Sequence, residues 1–274
     1  MDGKALAARV REQVAEDVRR LGGVGLATVL VGDDPASDIY ITLKQKAARE
    51  AGITAVDKRL PADISQEELL AVVAELNADD GIDGLLVQSP LPPQLDETAT
   101  IEAVDPAKDV DGLHPVSAGL LALGRPRLVG ATPLGIMRLL EEYGIDPEGK
   151  RAVVVGRSNI VGKPVAQLLL QANATVTICH SRTADLARET LDADILVAAT
   201  GVLRLISADM VKEGSTVIDV GMNRTDEGLF GDVDPGAMER AAYMTPVPGG
   251  VGPMTIAMVL HNTVRAAQLR RGKK

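Results

Sequence analysis

Tyr40 and Lys44 lie four residues apart in a stretch whose pattern is helical, so the two side chains share a face. A phenol ring offers a flat surface on which a heteroaromatic ring can stack. A lysine is ordinarily charged, with a pKa of about 10.4, but partial burial lowers it into the range where an amine moves protons. Tyr40 is the first of only four aromatic residues, followed by Tyr143, Phe230 and Tyr243. Gln88 ends an apolar stretch just before the turn Ser89-Pro90-Leu91-Pro92-Pro93. Ligands of parallel sheets gather at the carboxyl ends of strands, which puts Gln88 at the edge of a cleft. Asp109 and Asp111, in Lys108-Asp-Val-Asp-Gly112, are further candidates. A loop acid is more often a turn former, and a Tyr–Lys pair is common on exposed helices, so each residue alone says little.

A second constellation occupies Val153 to Pro164, which reads Val-Val-Val-Gly-Arg-Ser-Asn-Ile-Val-Gly-Lys-Pro. Three β-branched residues predict a buried strand, Gly156 ends it, and Gly162 with Pro164 opens a helix. Free N–H groups at a helix start attract phosphate. The three-glycine dinucleotide fingerprint is incomplete, because Ser158 stands where its second glycine would be. The phosphate loop of nucleoside triphosphatases also fails, since Lys163 is followed by Pro164 rather than Ser or Thr. Strand, polar turn and helix start fit both an ordinary βα turn and a nucleotide loop. The next strand tilts the balance. Folds that take NAD place an acid there for the ribose 2′-hydroxyl. Here the segment is Cys179-His-Ser-Arg-Thr183, with no acid. Ser181 and Arg182 suit a 2′-phosphate instead, and Arg157 can reach it from the first turn, since a guanidinium donates two hydrogen bonds at once. The same arginines would be ordinary as solvated surface charges. NADP is the preferred cofactor.

Strand and helix patterns alternate along the chain, which predicts an α/β class with mainly parallel sheets. Leu6, Val10, Val14 and Val18 mark an opening helix; strands are expected at Leu26 to Val31, Ile53 to Leu60 and Gly84 to Gln88. Ser65 and Glu68 form a capping box for a helix reaching Asn77. A second series places strands at 152–155, 175–179, 195–199 and 216–220, with helices from about Pro164 and Thr183 and a short one at Ser207. Two such series predict two domains, joined by helix between about Leu113 and Glu142, and a last helix over Pro253 to Leu269. A Tyr-x-x-x-Lys pair also occurs in short-chain dehydrogenases, but there it follows the glycine motif, whereas here it comes over a hundred residues earlier.

The 274 residues are 46% hydrophobic and 1% aromatic, so the cores must be built from aliphatic side chains. A net charge of -9 argues against a nucleic-acid partner. The basic end, Arg270-Arg271-Gly272-Lys273-Lys274, is expected to be a solvated terminus. The single Cys179 fits a reducing cytoplasm; no apolar run reaches membrane-spanning length, and no signal-peptide core follows Met1. His114, His180 and His261 lie far apart, so no metal site is expected.

Taken together, the motifs resemble the bifunctional methylenetetrahydrofolate dehydrogenase/methenyltetrahydrofolate cyclohydrolase family. The likeness covers nearly the whole chain: Val31-Gly-Asp-Asp-Pro-Ala-Ser37, Tyr40-x-x-x-Lys44, Val87-Gln88, Lys108-Asp-Val-Asp-Gly112, Thr132-Pro133, Gly156 to Pro164, Val217-Ile-Asp-Val-Gly221 and Thr245-Pro-Val-Pro-Gly-Gly-Val-Gly-Pro253. The resemblance implies oxidation of 5,10-methylenetetrahydrofolate with NADP, then hydrolysis to 10-formyltetrahydrofolate. It assigns Tyr40 to stacking on the folate, Lys44 to proton transfer, Gln88 to tuning Lys44, and Asp111 to the pterin amino edge. Val87 and Pro248, Gly249, Gly250, Val251 and Gly252 would line the folate site. Gly156, Arg157, Ser158, Ser181, Arg182 and Met222 would contact the cofactor. It further implies a folate-binding domain of 1–114 plus 254–274, a Rossmann-like domain of 115–253, a cleft between them, and a homodimer. Ser89, Ser117-Ala118, Ala131 and Arg182 depart from the family pattern, and none removes a proposed catalytic group. Rival readings are a dehydrogenase without cyclohydrolase activity, a non-catalytic nucleotide-binding module, and a shikimate-type dehydrogenase.

Overall fold

The computed structural model describes residues 1–272. The chain forms two compact units, Ala8–Ala131 with Ile256–Lys274, and Met1–Ala7 with Thr132–Thr255. In the first, α1 (Gly3–Leu21, entering from the other unit) leads to β1 (Gly25–Val31), α2 (Pro35–Glu50), β2 (Thr54–Leu60), α3 (Gln66–Ala78), β3 (Gly84–Val87), α4 (Glu97–Ala103) and α5 (Pro115–Ala122). The strands form a parallel sheet in the order β2-β1-β3. Central β1 is buried at all seven positions, as a parallel strand covered on both faces must be. Leu69, Val73 and Leu76 of α3 pack with Ala27, Val29 and Leu85 of the sheet. Ser65 and Glu68 close the expected capping box on α3, and Asp34 caps α2, whose first position is Pro35.

The second unit continues through α6 (Ala131–Glu142), β4 (Arg151–Val155), α7 (Gly162–Gln171), β5 (Thr175–Cys179), α8 (Leu186–Leu191), β6 (Ile195–Ala198), β7 (Thr216–Asp219), β8 (Asn223–Thr225), β9 (Gly228–Phe230) and β10 (Tyr243–Met244). Its five-stranded sheet is parallel, ordered β10-β7-β6-β4-β5. The chain goes outward from β4 to β5 and then returns to β6 on the other side of β4, so the winding reverses between β4 and β6. This is the doubly wound arrangement that the alternating pattern predicts. The antiparallel hairpin β8-β9 was not expected, because its three-residue strands are too short to show a period. Helix α8 starts at Leu186, not Thr183: Asp185 accepts the Arg188 N–H, whereas Thr183 closes a turn with His180.

The last helix, α9 (Val251–Arg270), passes into the first unit at Ile256. There the Asn262 side-chain amide donates to the Val110 and Val129 carbonyls, both at 2.7 Å. That buried link holds the segment up to Ala131 in the first unit, so the compact units divide at 131/132 where the sequence-derived domains divide at 114/115. Arg270 is half-buried and Arg271 exposed, yet neither is a free surface charge. Arg270 donates to the Ile82 carbonyl (2.8 Å) and Asp83 (3.1 Å), and Arg271 to the Gly23 carbonyl (2.8 Å) and Asp83 (2.7 Å). Asp83 is 1% exposed, so a buried charge draws both arginines down. Lys273 and Lys274 lie outside the described residues. Among the described residues no helix is long and apolar enough to cross a membrane.

Candidate active site

Helix α2 presents Lys44 inward, 6% exposed, with half-buried Tyr40 one turn earlier. Lys44 Nζ donates to Gln88 Oε1 at 3.1 Å. The amide is oriented from its other end, because Gln88 Nε2 donates to the Ser89 carbonyl at 2.7 Å. Its backbone N–H is fixed by the Val29 carbonyl of β1 at 2.9 Å. This orientation turns the oxygen toward Lys44. Burial lowers the Lys44 pKa, and the nearby Asp111 charge pulls it partly back. Burial in turn raises the Asp111 carboxyl; Lys44 opposes the rise and Asp109 adds to it. An amine that can shed its proton thus sits beside an amide acceptor and a carboxyl group. Val87, half-buried, precedes Gln88 at the end of β3.

Asp109 and Asp111 separate in role. Asp109 is buried and accepts from Leu113 N (3.2 Å), His114 N (2.9 Å) and Ser117 Oγ (2.7 Å), so it is a turn holder. Gly112, at φ 64°, follows Asp111; a Cβ there would lie 2.5 Å from the Gly130 nitrogen, so only glycine lets this loop pass. Lys108 was not anticipated. Its Nζ donates to the Leu76, Asn77 and Asp79 carbonyls at 3.2, 2.7 and 2.7 Å, satisfying the carboxyl end of α3 and anchoring the Asp111 loop. In the sequence it stands only as the first residue of Lys108-Asp-Val-Asp-Gly112.

In the other unit, the turn after β4 is as tight as its glycines suggest. Gly156 has φ 122°, and a Cβ would lie 2.1 Å from the Ala199 carbonyl oxygen; one on Gly162 would lie 2.2 Å from the Gly156 carbonyl oxygen. Ser158 Oγ accepts from Val161 N (3.1 Å) and Gly162 N (3.3 Å), bracing the start of α7. Arg157, Ser158, Ser181 and Arg182 are exposed. Val155 and Cys179 are register partners, so the turns bearing Arg157 and Arg182 leave the sheet side by side. They do so at the carboxyl edge, next to the β4/β6 reversal, where doubly wound sheets hold dinucleotides. A glycine turn that admits no Cβ, flanked by exposed guanidinium groups, fits a phosphorylated dinucleotide. Met222 follows β7 and is 43% exposed; a Cβ on Gly252 would lie 3.7 Å from its sulfur. Pro248 is exposed and Val251 buried; Gly249 has φ 110°, and a Cβ on Gly250 would lie 2.7 Å from the Pro246 carbonyl oxygen.

Residues 1–111 match the catalytic domain of tetrahydrofolate dehydrogenase/cyclohydrolase, and residues 130–271 match its NAD(P)-binding domain. The chain belongs to the tetrahydrofolate dehydrogenase/cyclohydrolase family. It is 56% identical over 282 residues to the bifunctional protein FolD of Sorangium cellulosum, covering 100% of this chain and 98% of that one. The FolD methylenetetrahydrofolate dehydrogenase/cyclohydrolase of Campylobacter jejuni superposes with a TM-score of 0.96 at 48% identity, over 98% of each chain. The Trypanosoma brucei N5,N10-methylenetetrahydrofolate dehydrogenase-cyclohydrolase, solved with NADP cofactor and an inhibitor, gives 0.95 at 39% identity, over 99% of this chain and 97% of that one. The family resemblance read from the motifs therefore holds, and the NAD(P)-binding match falls on the β4-to-β10 sheet with its glycine turn.

Proposed function

We infer that this chain oxidises 5,10-methylenetetrahydrofolate to the 5,10-methenyl form with NADP, and then hydrolyses that product to 10-formyltetrahydrofolate. The observation that carries the reading is the buried Lys44, held on an oriented Gln88 amide and facing the Asp111 charge. In the first step a hydride leaves the methylene carbon, and the bound dinucleotide supplies its acceptor. In the second, water bonds to the methenyl carbon, the bond to N5 breaks as N5 takes one of the water's protons, and the other proton is released. Lys44 handles that proton, because burial lets its amine exist neutral without preventing it from charging. Gln88 keeps the amine aimed whichever form it takes. Tyr40 gives the folate a stacking face, and Asp111 matches the paired donors of the pterin amino edge. Val87 lines the folate site beside Gln88.

For the cofactor, Gly156 and Ser158 form the phosphate turn, Arg157, Ser181 and Arg182 meet the 2′-phosphate, and Met222 lies toward the nicotinamide. The exposed, adjacent arginine turns support NADP over NAD. The protein acts in the cytoplasm as a homodimer assembled through the nucleotide unit. Exposed Val202, Leu203 and Leu205, brought to the β8-β9 hairpin where the Arg204 N–H donates to the Gly231 carbonyl, support such an interface. The deciding assay mixes purified protein, NADP and methylenetetrahydrofolate. Methenyl absorbance should rise and then decay by hydrolysis. No turnover with either NADP or NAD sinks the enzyme reading, and a rise without accelerated decay reduces it to a dehydrogenase alone.

A further inference from the structure

Two carboxylates in the nucleotide unit have no part in the chemistry above. Asp219 ends β7 and is 2% exposed; Asp232, after β9, is 0% exposed. They are joined directly, since the Asp232 N–H donates to Asp219 Oδ1 at 2.9 Å. Asp219 also accepts from Gly221 N (2.9 Å) and Val233 N (3.0 Å). Asp232 Oδ2 takes Thr200 N (2.6 Å), Thr200 Oγ1 (2.9 Å) and Gly201 N (2.9 Å), while its Oδ1 takes Asn223 Nδ2 (2.9 Å). A Cβ on Gly221 would lie 2.2 Å from Asp232 Oδ1, and one on Gly231 would lie 1.7 Å from Asp219 Oδ2. The carboxylates therefore fill the space those glycines leave empty. Among the described residues the groups that act on Asp219 include no cation, so the pair is a costly way to satisfy a few N–H groups.

What the pair joins gives it a purpose. Thr200 and Gly201 follow β6, and Gly221 to Asn223 follow β7, both at the carboxyl edge of the sheet. The 199–201 turn abuts the phosphate turn, where the Gly156 Cα comes so close to the Ala199 carbonyl oxygen that no side chain fits. In a doubly wound sheet the 2′-phosphate half lies over the strands on the Arg182 side of the reversal, and the other half lies over those beyond it, here β6 and β7. We propose that Asp219 and Asp232 are positioning residues that lock the 200–201 and 221–223 turns into one wall against the nicotinamide half of the dinucleotide. This rests on the dinucleotide reading of the site. Neither residue touches the cofactor; each acts through the turns it holds.

The test measures binding by calorimetry with two probes, NADP and adenosine 2′,5′-bisphosphate, alongside the melting temperature of the free protein. If the native chain binds neither probe, the dinucleotide reading itself fails. If it binds both, Asp232→Asn should weaken NADP by about tenfold and leave the bisphosphate fragment within about twofold. Unchanged NADP affinity in a folded variant overturns the proposal. So does an equal loss for both probes, which would mean a general loosening. Should Asp232→Asn fail to fold, Thr200→Val decides instead. It removes one hydroxyl contact to Asp232 and should weaken NADP about threefold with the fragment unaffected. No difference between the two probes overturns the proposal there too.

Discussion

Lys44 Nζ donates to Gln88 Oε1 across 3.1 Å, from the middle of a helix to the end of a strand 44 positions later. The bond gives a buried amine a fixed direction at a point where burial has already weakened its hold on a proton. Lys44→Met keeps the side chain's length and apolar bulk and removes the amine. It should cut hydrolysis of methenyltetrahydrofolate by at least about a hundredfold while NADP binding stays unchanged. Full hydrolytic activity in that variant would rule out Lys44 as the proton carrier.

Gln88→Glu places a carboxylate where the amide oxygen now accepts from Lys44. A negative neighbour favours the ammonium form, so the Lys44 pKa rises. Since hydrolysis needs the amine to give up its proton, the rise of rate with pH should move alkaline by about one unit. The profile can be read from the decay of methenyl absorbance between pH 6 and about 10. An acid shift, or none, would contradict the assigned role.

Arg157 and Arg182 are exposed and leave the sheet on adjacent strands. Losing a guanidinium that meets the 2′-phosphate should lower affinity for NADP about tenfold and hardly alter that for NAD. Measured dissociation constants for Arg157→Ala with both cofactors check this, and an unchanged ratio counts against the contact.

Asp219 provides a pH-dependent stability. Burial raises its carboxyl pKa to about 6 against three backbone N–H donors that favour the charge, and Asp232 adds to the rise. The folded state then binds the proton more tightly than the unfolded chain does. The contribution is therefore fully present below the ordinary value of 3.8 and is lost as pH climbs through about 6. The span corresponds to about 3 kcal/mol. Urea unfolding at several pH values, for the native chain and Asp219→Asn, isolates it. The native chain's stability relative to the variant should fall from pH 4 to about 7, and a flat difference would refute the assignment.

Asp83→Ala should leave Arg270 and Arg271 without their shared anion and the Gly25 N–H without its acceptor. Breaking a pair whose acid is buried costs about 3 kcal/mol. The expected result is a melting temperature several degrees lower, with the apparent affinity for NADP retained.

The sequence made legible what depends on local order. The strand and turn of Val153 to Gly162 showed because three β-branched residues and a glycine occur together, and Ser65 with Glu68 because a capping box spans one helical turn. Tyr40, Lys44 and Gln88 became a group through their family resemblance, and the fold then brought Lys44 to Gln88. Long-range electrostatics stayed hidden. Arg270 reads as a tail residue until it is seen against Asp83, 187 positions earlier. Asp219 reads as part of the strand over 216–220 and Asp232 carries no signal, until the backbone donors of three loops converge on them. Lys108 was missed for the same reason, since its partners are main-chain carbonyls, which carry no sequence signal.

The docking of Asn262 and Arg270 into the unit of residues 8–131 has a consequence for biosynthesis. Translation proceeds from the amino end, and domains tend to fold as they emerge. The three-stranded sheet leaves the ribosome early, but the helix that satisfies the Val110 and Val129 carbonyls and neutralises Asp83 is made last. Between those moments the whole nucleotide-binding sheet is synthesised. Most of the unit that carries Lys44 is made early, yet that unit is completed only after the other, so a ribosome stalled after residue 255 would hold it with an acid and two carbonyls still waiting for their partners.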